Sequence, residues 1–179
     1  MSFRAASSPD AAALAAFVNA AYRGEGSKRG WTSEADFLGG QRADEAMLRE
    51  MIEEPSSVVE LAFDSGELVG CVYLRKEPDC CYLGMLAVAP RRQGLGLGRS
   101  LLERAEETAR RWDRRRLRMT VLAQRAELIA YYERRGFKRT GGQEPFPKDP
   151  RYGLPKIEGL VFTELAKDLE APSSIVSPV

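Results

Sequence analysis

An α/β (α+β) domain on a mixed, mostly antiparallel sheet is the fold class that this 179-residue sequence predicts. Three observations predict it. First, "SVVELAF" (57–63) and "ELVGCVYLR" (67–75) are apolar and β-branched, and the tight turn "DSG" joins them as an antiparallel hairpin. Second, the later half alternates strand and helix. "CCYLGMLAV" (80–88) is followed by a stretch placing Leu101, Leu102, Ala105, Ala109 and Trp112 on one helical face, and then by "RLRMTVLA" (116–123). Third, 44% hydrophobic and 30% charged residues are ordinary for a globular chain long enough to bury a core. Hairpins followed by strand–helix–strand units imply a mixed sheet.

The remaining elements follow from local signals. After "FRAA", Ser8 is expected to cap a helix with Pro9 at its first position, and Leu14, Phe17, Val18, Ala21 and Tyr22 continue at helical spacing. Gly24 closes that helix, and a polar stretch to Arg42 is expected to hold a short turn or helix near Thr32. Residues 44–54 read as helix, with Met47, Leu48, Met51 and Ile52 on one face and Pro55 as the stop. The "KEPD" turn (76–79) is expected to pair Cys71 near residue 84, and Gly84 suggests a bulge or a close backbone approach. "RAELIAYYERR" (125–135) reads as a helix ended by a left-handed Gly136. A short strand near Phe137, a long connection over 140–158 and a final strand over 157–169 complete the pattern. The sum is six to seven strands and about four helices in one domain, 1–169, with a flexible tail over 170–179.

Composition excludes several chemistries. A formal net charge of +1 gives no whole-molecule field for nucleic acid or a membrane surface. The basic run "RRWDRRRLR" (110–118) lacks interleaved aromatics and reads as a solvated face. No apolar run reaches the roughly 20 residues of a membrane helix, and "MSFRAASSPD" has no apolar core of a secretory signal. Cys71, Cys80 and Cys81 have no framework spacing, so free thiols in a reducing cytoplasm are expected. With no histidine, neither a zinc site of the usual ligands nor a Ser-His-Asp triad is expected; proton chemistry falls to carboxylates, tyrosine, lysine, cysteine or water.

The stretch "PRRQGLGLGRS" (90–100) carries the strongest chemical signal. It follows an apolar strand and opens a helix, where unpaired N–H groups and the helix dipole favour an anion. Arg91, Arg92 and Arg99 add charge, so a phosphate or pyrophosphate is the implied target. The spacing fits neither the P-loop, for want of a lysine after a spaced glycine pair, nor the Rossmann GxGxxG.

Val88-x-Pro90-x-x-Gln93-x-x-Gly96-x-Gly98 instead resembles the acyl-CoA signature of the GNAT acetyltransferase superfamily, and "YYERRGF" (131–137) resembles that family's motif B. The resemblance covers most of residues 58–138. It implies a GNAT-like sheet splayed at its middle strands and acetyl-CoA as co-substrate, with no metal. It places the cofactor along Leu86, Ala87 and Val88 and over Gln93, Gly94, Leu95, Gly96, Leu97, Gly98 and Arg99. Within that loop Gly94 occupies a variable slot, and Gly96 and Gly98 open the backbone. Tyr132 is implied as the acid that protonates the leaving thiolate, with Tyr131 in the less suitable register. The family often has asparagine seven residues before this tyrosine and alanine four before it; here Arg125 and Leu128 stand there, and neighbouring Gln124 is a substitute amide.

The implied activity is transfer of an acetyl group to a primary amine of a small molecule, amino-acid-like compound or peptide. A non-catalytic acyl-CoA-binding module and a binder of another nucleotide are the alternatives. The acceptor pocket is expected between 24–42 and 140–158, with Trp31 as a wall, Glu34 holding an ammonium and Arg42 holding a carboxylate. "WTSE" also reads simply as a helix start. Glu34, Asp36, Glu60 and a water relay are all open as general base. No nucleic-acid or membrane partner is expected, and a homodimer is compatible with the sequence.

Overall fold

A computed structural model describes residues 1–170. Its strands are β1 (Ser2–Ala5), β2 (Leu38–Gly39), β3 (Ser57–Asp64), β4 (Glu67–Lys76), β5 (Cys81–Val88), β6 (Arg116–Leu122), β7 (Lys138–Pro145), β8 (Leu154–Pro155) and β9 (Val161–Asp168). Its helices are α1 (Ala11–Tyr22), the single turn α2 (Gly24–Ser27), α3 (Glu45–Glu53), α4 (Leu97–Arg111) and α5 (Ala126–Glu133). The seven-stranded sheet has the order β1-β3-β4-β5-β6-β9-β7, antiparallel except for β5 and β6. The mixed, mostly antiparallel sheet predicted from the sequence is therefore present. The expected tail lies, from residue 171 onward, outside the described residues.

Helices cover both faces of the sheet, so its strands alternate between two cores. On β4, Cys71 and Tyr73 join the core under α1 and α3, while Val72 and Leu74 join the core under α4 and α5. Helix α4 docks through Leu97, Leu101, Leu102 and Ala105. Gly70 makes room for it: a Cβ there would stand 3.0 Å from Leu101 Cδ1 and 3.2 Å from Leu97 Cδ2. Each buried leucine contributes on the order of 1.5–3 kcal/mol.

One irregularity in β5 sets up everything that follows. Tyr73 pairs with Gly84 and Cys71 with Ala87, so β5 has one more residue than β4 between those pairs. Met85 takes the strain at φ +47°. An inserted residue flips side-chain parity. Accordingly Cys81 and Leu83 face the α4 core, whereas Met85 and Ala87 face the α1 core. The register expected for Cys71, near residue 84, is corrected to Ala87, because the bulge adds to the offset of the turn. Beyond the bulge β5 loses its other neighbour: it pairs with β6 at Cys81↔Leu117 and Tyr82↔Arg118 and no further. The two strands splay apart there.

Three local expectations also change. Ser7, not Ser8, caps the first helical turn, forming a capping box with Asp10 across a 3-10 turn that precedes α1. The short strand near Phe137 is the eight-residue β7, and the connection after it is shorter than 140–158 suggests. Part of that connection is itself ordered, since β8 pairs with β2 through Leu38↔Pro155 and Gly39↔Leu154. This small ribbon ties the segment after α1 to the segment before β9.

Candidate active site

Two cavities open on the splay. One, about 390 Å³, runs from Leu86, Ala87 and Val88 along the glycine loop to Tyr131 and Arg134. The other, about 460 Å³, lies on the far side, between Arg42, Met51, Tyr82, Met119, Glu144 and Phe162. They share the walls Tyr22, Leu86, Arg125, Leu128 and Tyr132. A molecule in each would meet at those five side chains.

The first cavity has the backbone of an anion cradle. Gly94 and Gly96 sit at φ +81° and +87°, and a Cβ at either would meet nothing within 4 Å. The left-handed conformation requires glycine there, and the space beside it is open. Gly94, expected as a variable slot, has the same left-handed conformation as Gly96. Gly98 is constrained differently: a Cβ would come within 2.9 Å of the Tyr131 hydroxyl. Gly96 caps α4, whose first N–H groups face the cavity end of the helix. The cradle, the edge of β5 that β6 leaves open and the adjoining cavity together fit a diphosphate with a long, polar tail such as that of acetyl-CoA.

Other predicted cofactor residues divide. Gln93 lines the cavity, but its amide is used internally: Nε2 donates to Val88 O at 3.2 Å, and Oε1 accepts the Trp31 N–H at 2.9 Å. Gly30 is small because this amide lies against it, where a Cβ would collide with the Gln93 side chain. Leu95 points outward, 73% exposed, and Leu97 is buried in the core. Neither side chain lines the cavity, so any role there belongs to their backbone. Arg99 lines it while bonding Glu103 at 2.8 Å, and Arg92 is paired with Asp64. The sequence reading missed Arg134 and Arg135, which also line the wall. The "RR" of "YYERRGF" was the available signal.

Tyr132 is buried between Tyr131 and Phe137, with ring centroids 5.4 and 5.7 Å away in edge-on contacts. Burial pushes its phenol pKa up, with Arg125 acting in the opposite sense. It therefore holds its proton at neutral pH and has one to give. Tyr22, partly buried, donates its hydroxyl to Leu86 O at 2.6 Å, which pins the bulge to α1. Tyr131 is clasped by Trp31, centroids 5.3 Å apart, and by Arg135, 3.5 Å above its ring. Trp31, expected as a wall of the acceptor pocket, lines the glycine-loop cavity instead, because the Gln93 bond draws residue 31 toward the loop.

Glu34 needs the clearest correction. Its carboxylate is buried and bonded to Arg23 and to Arg125, the latter at 3.0 Å. Burial alone would raise its pKa, but Arg125, Arg42 and Arg23 overcome this and hold it below the usual glutamate range. It lines the second cavity with both oxygens already bonded to arginines, so its charge is matched within the protein and not held free for an ammonium. Arg125 also donates to Thr32 Oγ1, so the residue standing where the family often has asparagine ties α5 to the segment after α1. Gln124 faces away, donating to Gly159 O at 3.1 Å, and does not substitute. Asp36 is exposed and bonds Lys28. Glu60 is buried beside Arg104 of α4 and lines neither cavity. Glu144, which the sequence did not single out, lines the acceptor-side cavity with no cation bonded to it among the described residues.

The three cysteines are buried and free, and burial raises the thiol pKa of each, Cys71 and Cys81 to about 12. None is primed as a nucleophile. Among the described residues no helix is long and apolar enough to cross a membrane, and no group of three metal-type ligands occurs.

The family model described as "Acetyltransferase (GNAT) family" matches residues 27–137. No curated protein is significantly similar in sequence. Among solved structures, a ribosomal-protein-alanine N-acetyltransferase from Brucella melitensis superposes with a TM-score of 0.69 at 23% identity, covering 94% of this chain and 100% of that one. A putative acetyltransferase, yncA, from Salmonella typhimurium, solved with its cofactor acetyl-CoA, gives 0.68 at 24% identity over 97% and 98%. A GNAT-family acetyltransferase from Streptococcus pneumoniae gives 0.65 at 21% identity over 94% and 99%. At these identities the likeness is one of fold.

Proposed function

The chain belongs to the GNAT acetyltransferase family, and from that premise we propose that it transfers an acetyl group from acetyl-CoA to a primary amine of a small molecule, amino-acid-like compound or peptide. The observation that carries this reading is the shared wall. Tyr132, the motif-matched acid, lines both cavities, so a donor in one and an acceptor in the other would meet beside its hydroxyl.

Acetyl-CoA supplies an activated thioester whose sulfur departs as a thiolate. The residues of this chain have three tasks around it. The loop from Gly94 to Arg99, with Arg134, balances the diphosphate. The run Leu86–Val88 of β5, paired with β4 but not with β6, offers its remaining free backbone groups to the pantetheine amides, the Leu86 and Val88 carbonyls already accepting from Tyr22 and Gln93. The Tyr132 hydroxyl gives its proton to the departing sulfur.

The acceptor must also lose a proton. An alkyl amine with a pKa of about 10.4 is neutral roughly once in a thousand at pH 7.4, a deficit of about 4 kcal/mol. Five arginines (Arg23, Arg42, Arg75, Arg125 and Arg151) outnumber three glutamates (Glu34, Glu50 and Glu144) around this cavity. Such an excess of positive charge disfavours an ammonium and lowers its pKa. Glu144 is the carboxylate we assign to take up the released proton, directly or through water. The reading includes a cytoplasmic setting, in keeping with three buried, unbonded thiols.

Thiol release from acetyl-CoA, followed with a chromogenic disulfide across an amine panel, tests the proposal. Amine-dependent release supports it. Saturable acetyl-CoA binding without release for any amine would instead favour a non-catalytic acyl-CoA-binding module, a reading that gains from the engagement of Glu34 by two arginines.

A further inference from the structure

Most charged groups on the acceptor-side wall already have partners. Arg23 and Arg125 share Glu34. Arg75 bonds Glu77 at 2.7 Å. Arg151 is held by Glu50 and Asp44. Arg42 differs: it lines the same cavity, and among the described residues no carboxylate bonds its guanidinium.

Arg42 is nonetheless fixed in place. Its backbone N–H donates to Asn19 Oδ1 at 2.6 Å, and Asn19 also donates to Ala43 O at 2.7 Å. Its guanidinium lies 5.4 Å from the centroid of the Tyr22 ring. Tyr22 reaches the β5 bulge through its bond to Leu86 O, and Leu86 belongs to the wall common to both cavities. A cation with no bonded carboxylate therefore stands within one aromatic ring of the place where donor and acceptor meet. A guanidinium held on a ring face presents a planar fork of donors suited to a carboxylate. A partly buried guanidinium that feels Glu34 only through space, with no carboxylate bonded to it, gains when a ligand supplies one.

We infer that the acceptor is an amine bearing a carboxylate close to its nucleophilic nitrogen, as a free amino acid does, and that Arg42 binds that carboxylate. The inference rests on reading this cavity as the acceptor site. A diamine would leave Arg42 unmatched and add positive charge to a wall that already has an excess. An amino acid instead neutralises Arg42 and leaves its amine beside Arg125 and Tyr132.

The test uses the full chain saturated with CoA, so that binding is read apart from turnover. Calorimetry compares the common L-amino acids with their carboxamides and decarboxylated amines. At least one amino acid should bind on the order of 10- to 100-fold more tightly than its own carboxamide, the span of a charge-assisted hydrogen bond. Arg42→Ala should erase that gap, and Arg42→Lys should restore part of it. In turnover with acetyl-CoA, Arg42→Ala should raise KM for the amino acid far more than it lowers kcat. Equal binding of acid and amide, a gap that survives Arg42→Ala, or no amino acid binding at all would each overturn the inference. Acetylation without preference for a carboxylate overturns the inference and upholds acetyl transfer. Carboxylate-dependent binding with no CoA release upholds the inference and counts against acetyl transfer.

Discussion

The two cavities share a wall yet are built in different ways. The glycine-loop cavity draws mostly on two short stretches, 86–99 and 131–135, with Tyr22, Trp31 and Arg125 closing it from elsewhere in the chain. The second cavity is assembled from α1, the segment after it, β2, α3, β4, β5, β6, α5, β7, the turn before β8 and β9. Its charged side chains are set by partners distant in sequence: Glu34 meets Arg125, and Arg151 meets Glu50. A contiguous cradle tolerates change elsewhere in the chain. An assembled pocket changes whenever any contributing segment does, so one fold can keep its donor site while its acceptor site varies.

The sharpest way to break this contrast is at the cradle. Gly96→Glu forces a side chain into a left-handed position and puts a carboxylate beside the diphosphate. Acetyl-CoA affinity should fall at least about 1000-fold by calorimetry, several kcal/mol of lost binding, while the fold survives because a Cβ there meets open space. Wild-type affinity would remove the loop from the cofactor site.

At the shared wall, Tyr132→Phe should lower kcat by about 100- to 10,000-fold, the usual range for a general acid. The affinity for acetyl-CoA should hardly move. An unchanged kcat would leave Tyr132 as a core aromatic and nothing more.

Glu34 tests the assembled side. Glu34→Gln leaves Arg23 and Arg125 buried without their carboxylate and should cost about 3–5 kcal/mol of stability, read from denaturant midpoints. The pH dependence has a definite sign. Because the folded pKa of Glu34 is depressed, its contribution is in full above the unfolded value of about 4.3. It is lost as pH falls through the lower folded value. The difference in stability between wild type and Glu34→Gln should therefore be flat from neutral pH to about pH 5 and shrink below about pH 4.

The smallest effect is expected within the loop itself. Leu95→Ala removes a side chain that is 73% exposed and lines neither cavity. Acetyl-CoA affinity and stability should both stay within about 0.5 kcal/mol. A larger loss of affinity would show that the leucine, and not merely its backbone, belongs to the cofactor site.

Much was readable from the sequence because it is periodic or local. The hairpin of β3 and β4, the face of α4 and the left-handed Gly136 at φ +88° follow from spacing and turn chemistry. Local spacing also identified the glycine loop, but not the positive φ of Gly94, which is a property of the folded turn. The misplaced residues share a cause. Trp31 went to the wrong cavity because the bond from its N–H to Gln93 spans 62 positions. Glu34 was given a ligand's role because Arg125, 91 residues away, cannot be foreseen as its partner. Glu144 passed unnoticed because a lone charged residue has no pattern until a cavity forms around it, whereas the signal for Arg134 was present in "YYERRGF" and was not used.

The sequence by itself determined the order of strands and helices, the anion-binding loop and the tyrosine that follows it, since each is written in neighbouring residues. The tertiary structure alone decided how β5 uses that order. A single inserted residue at Met85 reverses which core its side chains enter, and the end of pairing with β6 opens the sheet where the two cavities meet. Strand register and long-range ion pairing depend on contacts between segments far apart in the chain, and these exist only once the sheet has closed around them.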